Sequence, residues 1–197
     1  SWSRHYRCFP GQGELQMDKF MAMLDETRYD GPLSHEIFND VFRMGHSDQT
    51  ARDGLRSYHL LRSMQGDSGI PAPQPIESVA FLEFKRADKL GYDIVEPEEV
   101  GASHRMSALR NVDGSLSYII DDSQLSRTWD REFPVDVQPV PQGALVDIDH
   151  ISVALSYHDY LSLMLQYRAI FQLAPKPSFD VTDPRGLIQS QVLQNYN

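Results

Sequence analysis

A stretch rich in proline and glycine divides the chain into two parts of different character. It covers residues 65–75, QGDSGIPAPQP, where three prolines and two glycines favour an extended linker over a helix or a strand. Before it, helical periodicity alternates with short apolar runs, whereas strand patterns dominate after it. We therefore predict a first segment at 1–66, a linker at 67–75 and a second region at 76–197.

The first segment begins with a polar cluster and a glycine-rich turn, followed by a helix and a strand. Four apolar residues recur at helical spacing and predict a buried helix face: Met17, Phe20, Met21 and Leu24. The apolar run at 33–38 predicts a short strand covered on both faces. Glu36 lies near its carboxyl end, where (β/α) barrels place active-site residues. A salt-bridged or solvated glutamate is the alternative interpretation.

The remaining elements follow from periodicity and turn signals. In the first segment we predict a surface loop at 40–46 and a helix at 47–64 with an apolar side of Ala51, Leu55, Tyr58 and Leu61. In the second region we predict strands at 78–84, 147–155, 178–181 and 187–193, a brief helix at 86–90 and a hairpin within 111–120. Ser156 and Asp159 indicate the start of a helix. Its predicted buried side is Tyr157, Tyr160, Leu161, Met164, Leu165 and Phe171. The last module has the order β, α, β, β, and strand-first units begin near Ile76 and near Val146, which suggests two copies of one module.

Composition narrows the classes of partner. A net charge of -10 opposes binding to a phosphate backbone or an anionic membrane face. Cys8 is the single cysteine, so no intrachain disulfide can form, and a cytoplasmic location is the simpler inference. No apolar run approaches a membrane span. The sequence starts without Met and enters what reads as the middle of a fold, so we expect further sequence upstream.

Several segments resemble a known family. SRHYRCFPGQGEL and GPLSHEIFND, in this spacing, resemble the C-terminal end of the sugar phosphate isomerase-like barrel of bacterial 3-dehydroshikimate dehydratases. In longer members that barrel is fused to a region similar to 4-hydroxyphenylpyruvate dioxygenase, of the vicinal-oxygen-chelate fold. ESVAFLEF, LVDIDHISVAL, YRAIFQL and DPRGLIQSQVL resemble that region. The implied fold class is α/β plus α+β: terminal βα units of a TIM barrel, xylose isomerase-like, followed by vicinal-oxygen-chelate-like βαββ modules, both incomplete.

The resemblance implies a lyase of aromatic catabolism that converts 3-dehydroshikimate to protocatechuate and water. Glu36 falls on the family's last metal-ligand carboxylate, Ser3 and Arg7 on its substrate-binding loop, and Gln12 in the GQG turn of that loop. A divalent Mg, Mn or Co ion would stabilise an enolate formed beside a ketone. The family's catalytic base and other metal ligands would precede Ser1. We therefore predict that this chain alone lacks dehydratase activity.

His150 raises a second metal hypothesis. By the resemblance it matches the first histidine of a dioxygenase-type iron site. A facial triad also requires a second histidine and a carboxylate, and neither can be named in this chain. We therefore favour a structural or remnant role for His150, and we do not expect iron.

Two alternative functions stay open. One is a sugar phosphate isomerase or epimerase, which uses the same barrel and the same metal chemistry. The other is a non-catalytic ligand-binding or assembly module that associates through exposed sheet edges. The expected partner is a small molecule, 3-dehydroshikimate, with neither nucleic acid nor membrane. Homo-oligomerisation is a further expectation, because a partial barrel leaves apolar surface around Met17 and Phe20.

Overall fold

A computed structural model of the chain describes residues 7–65, 80–96, 107–120, 148–171 and 173–195. The helices in these ranges are α1 (Met17–Thr27), α2 (Asp40–Met44), α3 (Ser47–Met64), α4 (Ala80–Lys89) and α5 (Tyr157–Phe171). The strands are β1 (Ile94–Val95), β2 (Ala108–Arg110), β3 (Leu116–Tyr118), β4 (Ala174–Pro175), β5 (Phe179–Asp183), β6 (Gly186–Ser190) and β7 (Leu193–Gln194). None of these helices is long and apolar enough to cross a membrane.

The predicted helix with Met17 and Met21 is confirmed as α1. It ends where Arg28 takes a left-handed conformation, with φ of 52°, and its N–H bonds back to the carbonyl of Asp25. Met21 is buried against the rest of the chain, whereas Phe20 is exposed. The predicted helix is therefore correct, and its buried face is narrower than the periodicity indicated.

The predicted loop at 40–46 is wrong, because residues 40–44 form the short helix α2. Its start is fixed by Asn39, whose side-chain oxygen accepts a hydrogen bond of 2.9 Å from the Val41 N–H. A capping asparagine satisfies an N–H that the first helical turn leaves unpaired, which makes even one helical turn favourable.

Helix α3 has the predicted bounds but buries a different face. Leu55 and Tyr58 are exposed, and Ala51 is exposed with them. The buried residues of this helix are Asp53, Ser57, Leu60 and Leu61. Leu61 is therefore buried as predicted, and the other three positions are not, because a polar partner on α5 replaces the apolar neighbours that periodicity assumes. Asp53 accepts a hydrogen bond of 2.5 Å from the Ser162 hydroxyl on α5.

The main hydrophobic core forms around α5. Its members come from α3, from α4 and the residues after it, from β2 and from α5: Leu60, Ala87, Leu90, Tyr92, Leu109, Leu165, Ala169 and Ile170. Residues on both sides of 67–75 therefore share one core. The predicted boundary at that linker stays a prediction.

Part of the predicted strand at 78–84 is wrong, since residues 80–84 belong to α4; residues 78 and 79 lie outside the described ranges. The brief helix predicted at 86–90 is correct as the end of α4. Arg86 is almost fully buried there and donates hydrogen bonds to the backbone carbonyl of Ala169 and to the Ser63 hydroxyl. This burial lowers the pKa of Arg86 to about 10. These contacts hold the helix against α3 and α5, and local strand propensity cannot anticipate them.

The hairpin predicted within 111–120 is confirmed by strands β2 and β3, which pair antiparallel in the three-stranded order β1-β2-β3. Gly114 has a φ of 84° in the turn, a conformation that favours glycine. The Asn111 amide donates to the hydroxyls of Ser115 and Ser117, and its oxygen accepts from Gln166 on α5 at 2.9 Å. This buried amide pair joins the small sheet to α5.

The strand predicted at 147–155 is wrong for 148–155, which has no regular structure and is mostly exposed; residue 147 lies outside the described ranges. A strand needs a neighbouring strand to satisfy its backbone groups, and residues 148–155 pair with none of the strands in the described ranges. The α5 start is confirmed, since Ser156 and Asp159 bond to each other. Of its predicted buried side, Met164 and Leu165 are buried and Tyr157 is exposed.

The C-terminal strands agree with the prediction. β5 and β6 form an antiparallel hairpin across the turn at 183–186, and β4 pairs with β7. Nearly every residue of the β5–β6 hairpin is exposed. The described part of the second region therefore shows helix and strands in the expected order, without the first strand of the predicted βαββ module.

Truncation of the α5 core should destabilise the whole chain. Leu165 is fully buried, so Leu165→Ala should lower the free energy of unfolding by about 2–5 kcal/mol, from lost burial and a residual cavity. Urea unfolding followed by circular dichroism measures this. The matched control is Leu187→Ala on the exposed hairpin, where the change should stay below about 0.5 kcal/mol. Equal losses at the two positions would contradict an α5-centred core.

The buried Asp53 carboxyl should make stability depend on pH. Burial raises its pKa, although Ser162 and Arg56 oppose the shift. Its contribution is therefore fully present below the unfolded pKa and is lost as pH rises through the folded pKa. The stability advantage of wild type over Asp53→Asn should therefore fall in urea titrations as pH rises from about 4, the ordinary aspartate pKa, through the higher pKa of the folded state. Ser162→Ala keeps the carboxyl and should keep this trend; parallel curves for wild type and Asp53→Asn would count against it.

Candidate active site

Two segments of the N-terminal part lie side by side and bring together the predicted site residues. The Arg7 N–H donates to the Phe38 carbonyl at 3.2 Å, and the Asn39 side-chain amide donates to the Arg7 carbonyl at 2.8 Å. Asn39 is buried while it also caps α2. One asparagine thus fixes both the loop that carries Arg7 and the segment that carries Glu36.

Arg7 and Glu36 form the centre of this site. The Arg7 Nη1 lies 3.1 Å from the Glu36 Oε2 and also 3.1 Å from the Glu36 backbone oxygen. The guanidinium carbon lies 5.3 Å from the centroid of the Phe38 ring. The side chains remain 40% and 73% exposed, respectively, so an external ligand can reach either charge.

The predicted strand at 33–38 is wrong, because that segment contains no regular structure. Within the described residues its backbone is paired chiefly with Arg7, and no wider sheet forms around it. A buried parallel strand needs a neighbour on each side, so the apolar composition of 33–38 did not suffice. Glu36 nevertheless contacts the loop with Arg7, while their shared role in one site stays a prediction.

Gln12 was predicted to contact substrate from the GQG turn. In the structure its side chain is buried inside that turn. Its side-chain oxygen accepts a hydrogen bond of 2.9 Å from the Phe9 N–H. Its amide nitrogen is buried and has no hydrogen-bond partner among the described residues. The visible contact of Gln12 therefore closes the turn, and its proposed contact with substrate stays a prediction.

The same turn is fixed to α5 by Arg168, which the sequence did not single out. The Arg168 Nη1 donates to the carbonyls of Gly11 and Gly13, each at 2.6 Å. Gly11 has a φ of 89°, and a Cβ there would come within 2.7 Å of Leu60 and Leu165. A glycine is therefore required where the turn meets the core. Since 157 positions separate Arg168 from Gly11, no local pattern could reveal the contact.

Cys8 lies beside this turn and is not poised as a nucleophile. Burial raises the pKa of its thiol, and the opposing effect of Arg168 is smaller. A raised pKa keeps the sulfur protonated near neutral pH, and the thiolate is the reactive form. The raised pKa and the burial of Cys8 therefore favour a structural role for this thiol over a reactive one.

The other predicted site residues do not join this cluster. Ser3 lies outside the described residues. His150 is exposed, and its Nδ1 lies 2.8 Å from the carboxylate of its neighbour Asp149. The described residues supply no second histidine to complete an iron triad beside it. His150 thus remains a single, solvated histidine in this part of the structure.

The residues present do not make a metal site by themselves. Within the described ranges, no group of three or more His, Cys, Asp or Glu side chains could hold an ion. The Glu36 carboxylate faces a guanidinium instead of other oxygen ligands. Hard divalent cations require several oxygen ligands. Glu36 can therefore act as a ligand only beside groups that these residues do not supply.

Comparison with known proteins identifies distant relatives; no family model matches the chain. The chain is 28% identical over 284 residues to a 3-dehydroshikimate dehydratase of Pseudomonas putida and 25% identical to one of Pseudomonas aeruginosa. Each match covers 98% of this chain and 45% of the relative. The matched span exceeds the 197 residues of the chain, so the relatives contain residues within that span that have no counterpart in it.

A solved structure supports the fold. The chain resembles a xylose isomerase-like TIM barrel/4-hydroxyphenylpyruvate dioxygenase fusion protein with a TM-score of 0.76 and 24% identity. The match covers 98% of this chain and 45% of that protein. The small, open sheets agree with a part of such a fold. The resemblance to 3-dehydroshikimate dehydratases predicted from the motifs is thus confirmed, over 45% of the relatives' length.

Stability measurements should separate the scaffold of the site from its exposed charges. Asn39→Ala should lower the free energy of unfolding by about 1–3 kcal/mol, because it leaves buried backbone groups unpaired and removes a helix cap. Glu36→Gln should change it by less than about 1 kcal/mol, as expected for an exposed ion pair. Chemical unfolding of the two variants tests the ranking. A larger loss for Glu36→Gln would show that its carboxylate is mainly structural.

Proposed function

We propose that this chain is part of a lyase of the 3-dehydroshikimate dehydratase type. The observation that carries the proposal is the 3.1 Å contact between Arg7 and Glu36, two positions that the family motifs single out from separate segments. Two curated 3-dehydroshikimate dehydratases that match nearly the whole chain support it. The proposed substrate is 3-dehydroshikimate, and the proposed products are protocatechuate and water.

Arg7 is the proposed anchor for the substrate carboxylate. Its planar guanidinium can bind a carboxylate through two parallel hydrogen bonds, and it is exposed enough to do so. Its bond to Glu36 is an exposed ion pair, whose strength is about 0.2–1 kcal/mol. A substrate carboxylate can therefore compete with Glu36 for the guanidinium, while the Phe38 ring supports it from one side.

Besides pairing with Arg7, Glu36 has a proposed role as a metal ligand, which depends on residues beyond those described. In an intact barrel it would supply one carboxylate ligand to a divalent Mg, Mn or Co ion, which stabilises negative charge on the oxygen of a ketone. Before a metal ion binds, the ion pair with Arg7 holds the Glu36 carboxylate in place. Since the described residues do not complete a metal site, we propose that the isolated chain does not turn over.

A non-catalytic assembly role is the second candidate, and the exposed β5–β6 hairpin favours it. Phe179, Val181 and Ile188 lie on one face of this two-stranded ribbon, as its register shows, and all three are exposed. A two-stranded ribbon is marginally stable alone. A stable oligomer that shows no turnover, even in a longer polypeptide, would favour this candidate.

Two substitutions should change the affinity of the isolated chain for 3-dehydroshikimate in opposite directions and so reveal the role of Arg7. Without metal, Arg7→Ala should abolish saturable binding of 3-dehydroshikimate in calorimetric titrations. Glu36→Gln should instead tighten binding about two- to fivefold, because it removes the competing carboxylate. The matched control is Glu26→Gln, which alters an exposed glutamate of α1 and should leave binding unchanged.

Turnover should be absent from the same samples. We expect no protocatechuate after incubation of the isolated chain with 3-dehydroshikimate and Mg, Mn or Co, as followed by chromatography. Protocatechuate formation would overturn the expected inactivity. Saturable binding of ketose sugar phosphates in place of 3-dehydroshikimate would move the proposal to the isomerase class. Weaker binding by Glu36→Gln would contradict the competition between Glu36 and substrate.

A further inference from the structure

A cavity of about 250 Å³, whose lining includes neither Arg7 nor Glu36, lies between α1, α3 and the loop that follows α1. Its apolar part includes Met21 and Leu61, which are both buried, together with Leu24. The volume is slightly below the roughly 300–1,000 Å³ typical of sites for drug-sized ligands. The cavity therefore suits a single small molecule with an apolar portion.

Two tyrosines are among the residues that line the cavity. Tyr29 donates a hydrogen bond of 3.1 Å to the Pro32 carbonyl, and a Cβ at Gly31 would come within 2.4 Å of its hydroxyl. The glycine thus lets the Tyr29 ring lie against the loop. Tyr58, on α3, supplies the second ring. Aromatic rings favour an aromatic occupant through edge-to-face or offset packing.

The cavity is also lined by one positive and one negative side chain. Arg62 from α3 and Asp30 from the loop are both exposed at it. Within the described part of the chain, neither side chain forms an ion pair or a hydrogen bond with protein. A carboxylate ligand alone would satisfy Arg62 but be repelled by Asp30. A ligand that carries both charges on adjacent groups satisfies the two residues together.

We propose that this cavity binds a free amino acid with an aromatic side chain. Its α-carboxylate pairs with Arg62, its α-ammonium group pairs with Asp30, and its ring enters the apolar part between Tyr29 and Tyr58. No residue of the Arg7–Glu36 site takes part. The inference is therefore independent of the proposed lyase function, and either one can be wrong without affecting the other.

Calorimetric titration with three related probes tests the charge pattern. L-phenylalanine carries both charges, 3-phenylpropionate lacks the ammonium group and 2-phenylethylamine lacks the carboxylate. We expect saturable one-to-one binding of L-phenylalanine and at least about tenfold weaker binding of each of the other two, since each loses a charge-assisted hydrogen bond. Equal binding of 3-phenylpropionate, or no saturable binding of L-phenylalanine, would overturn the proposal.

Substitutions locate the binding. Arg62→Gln and Asp30→Asn alter exposed side chains and should each weaken L-phenylalanine binding about tenfold or more. The control Arg52→Gln removes an exposed arginine of the same helix that lies outside the cavity, and binding should be unchanged. Arg7→Ala should also leave it unchanged, which separates this site from the proposed substrate site. Unaltered binding by Arg62→Gln would refute the assignment.

Discussion

The burial of one face of α5 is the interaction on which the rest of the described structure depends. Leu165, Ala169 and Ile170 lie in the core together with residues of α3, α4 and β2. Fully burying a leucine or isoleucine side chain, as at Leu165 and Ile170, contributes about 1.5–3 kcal/mol relative to exposure. The neighbouring Arg168 extends this influence to the N-terminal turn, where it holds two glycine carbonyls. The candidate site is thus positioned by a helix far away in the sequence.

Buried polar pairs determine how the elements fit around α5. Asp53 bonds to Ser162, Asn111 bonds to Gln166, and Arg86 bonds to the Ala169 carbonyl. Each pair joins α5 to a different element. A buried polar group without its partner costs about 1–3 kcal/mol, so a shift of any element along α5 is unfavourable. Hydrophobic burial therefore provides the free energy that packs the elements together, and these polar pairs stabilise one arrangement of them over the others.

The dependence of the fold on contacts between distant elements explains which elements could be predicted from the sequence. Helix α3 and the hairpin at Asp113 and Gly114 depend on local periodicity and turn chemistry, and both were predicted correctly. The strands expected at 33–38 and 147–155 depend on neighbours, and apolar alternation cannot report whether neighbours exist. On the buried side of α3, Leu61 was predicted correctly, whereas Asp53 and Ser57 were missed because they read as solvent-facing when considered without α5.

Prediction from local sequence is limited in the same way for single residues of the candidate site. Motif resemblance brought Arg7 and Glu36 to attention together, but Asn39 and Arg168, which position their segments, carry no catalytic signature. The ion pair itself has a chemical consequence. An exposed guanidinium and carboxylate hold each other weakly, so each can exchange its partner for a ligand of the proper charge at small cost. Pairing of this kind keeps both groups positioned before a ligand binds, and the buried Asn39 gives that positioning a rigid base.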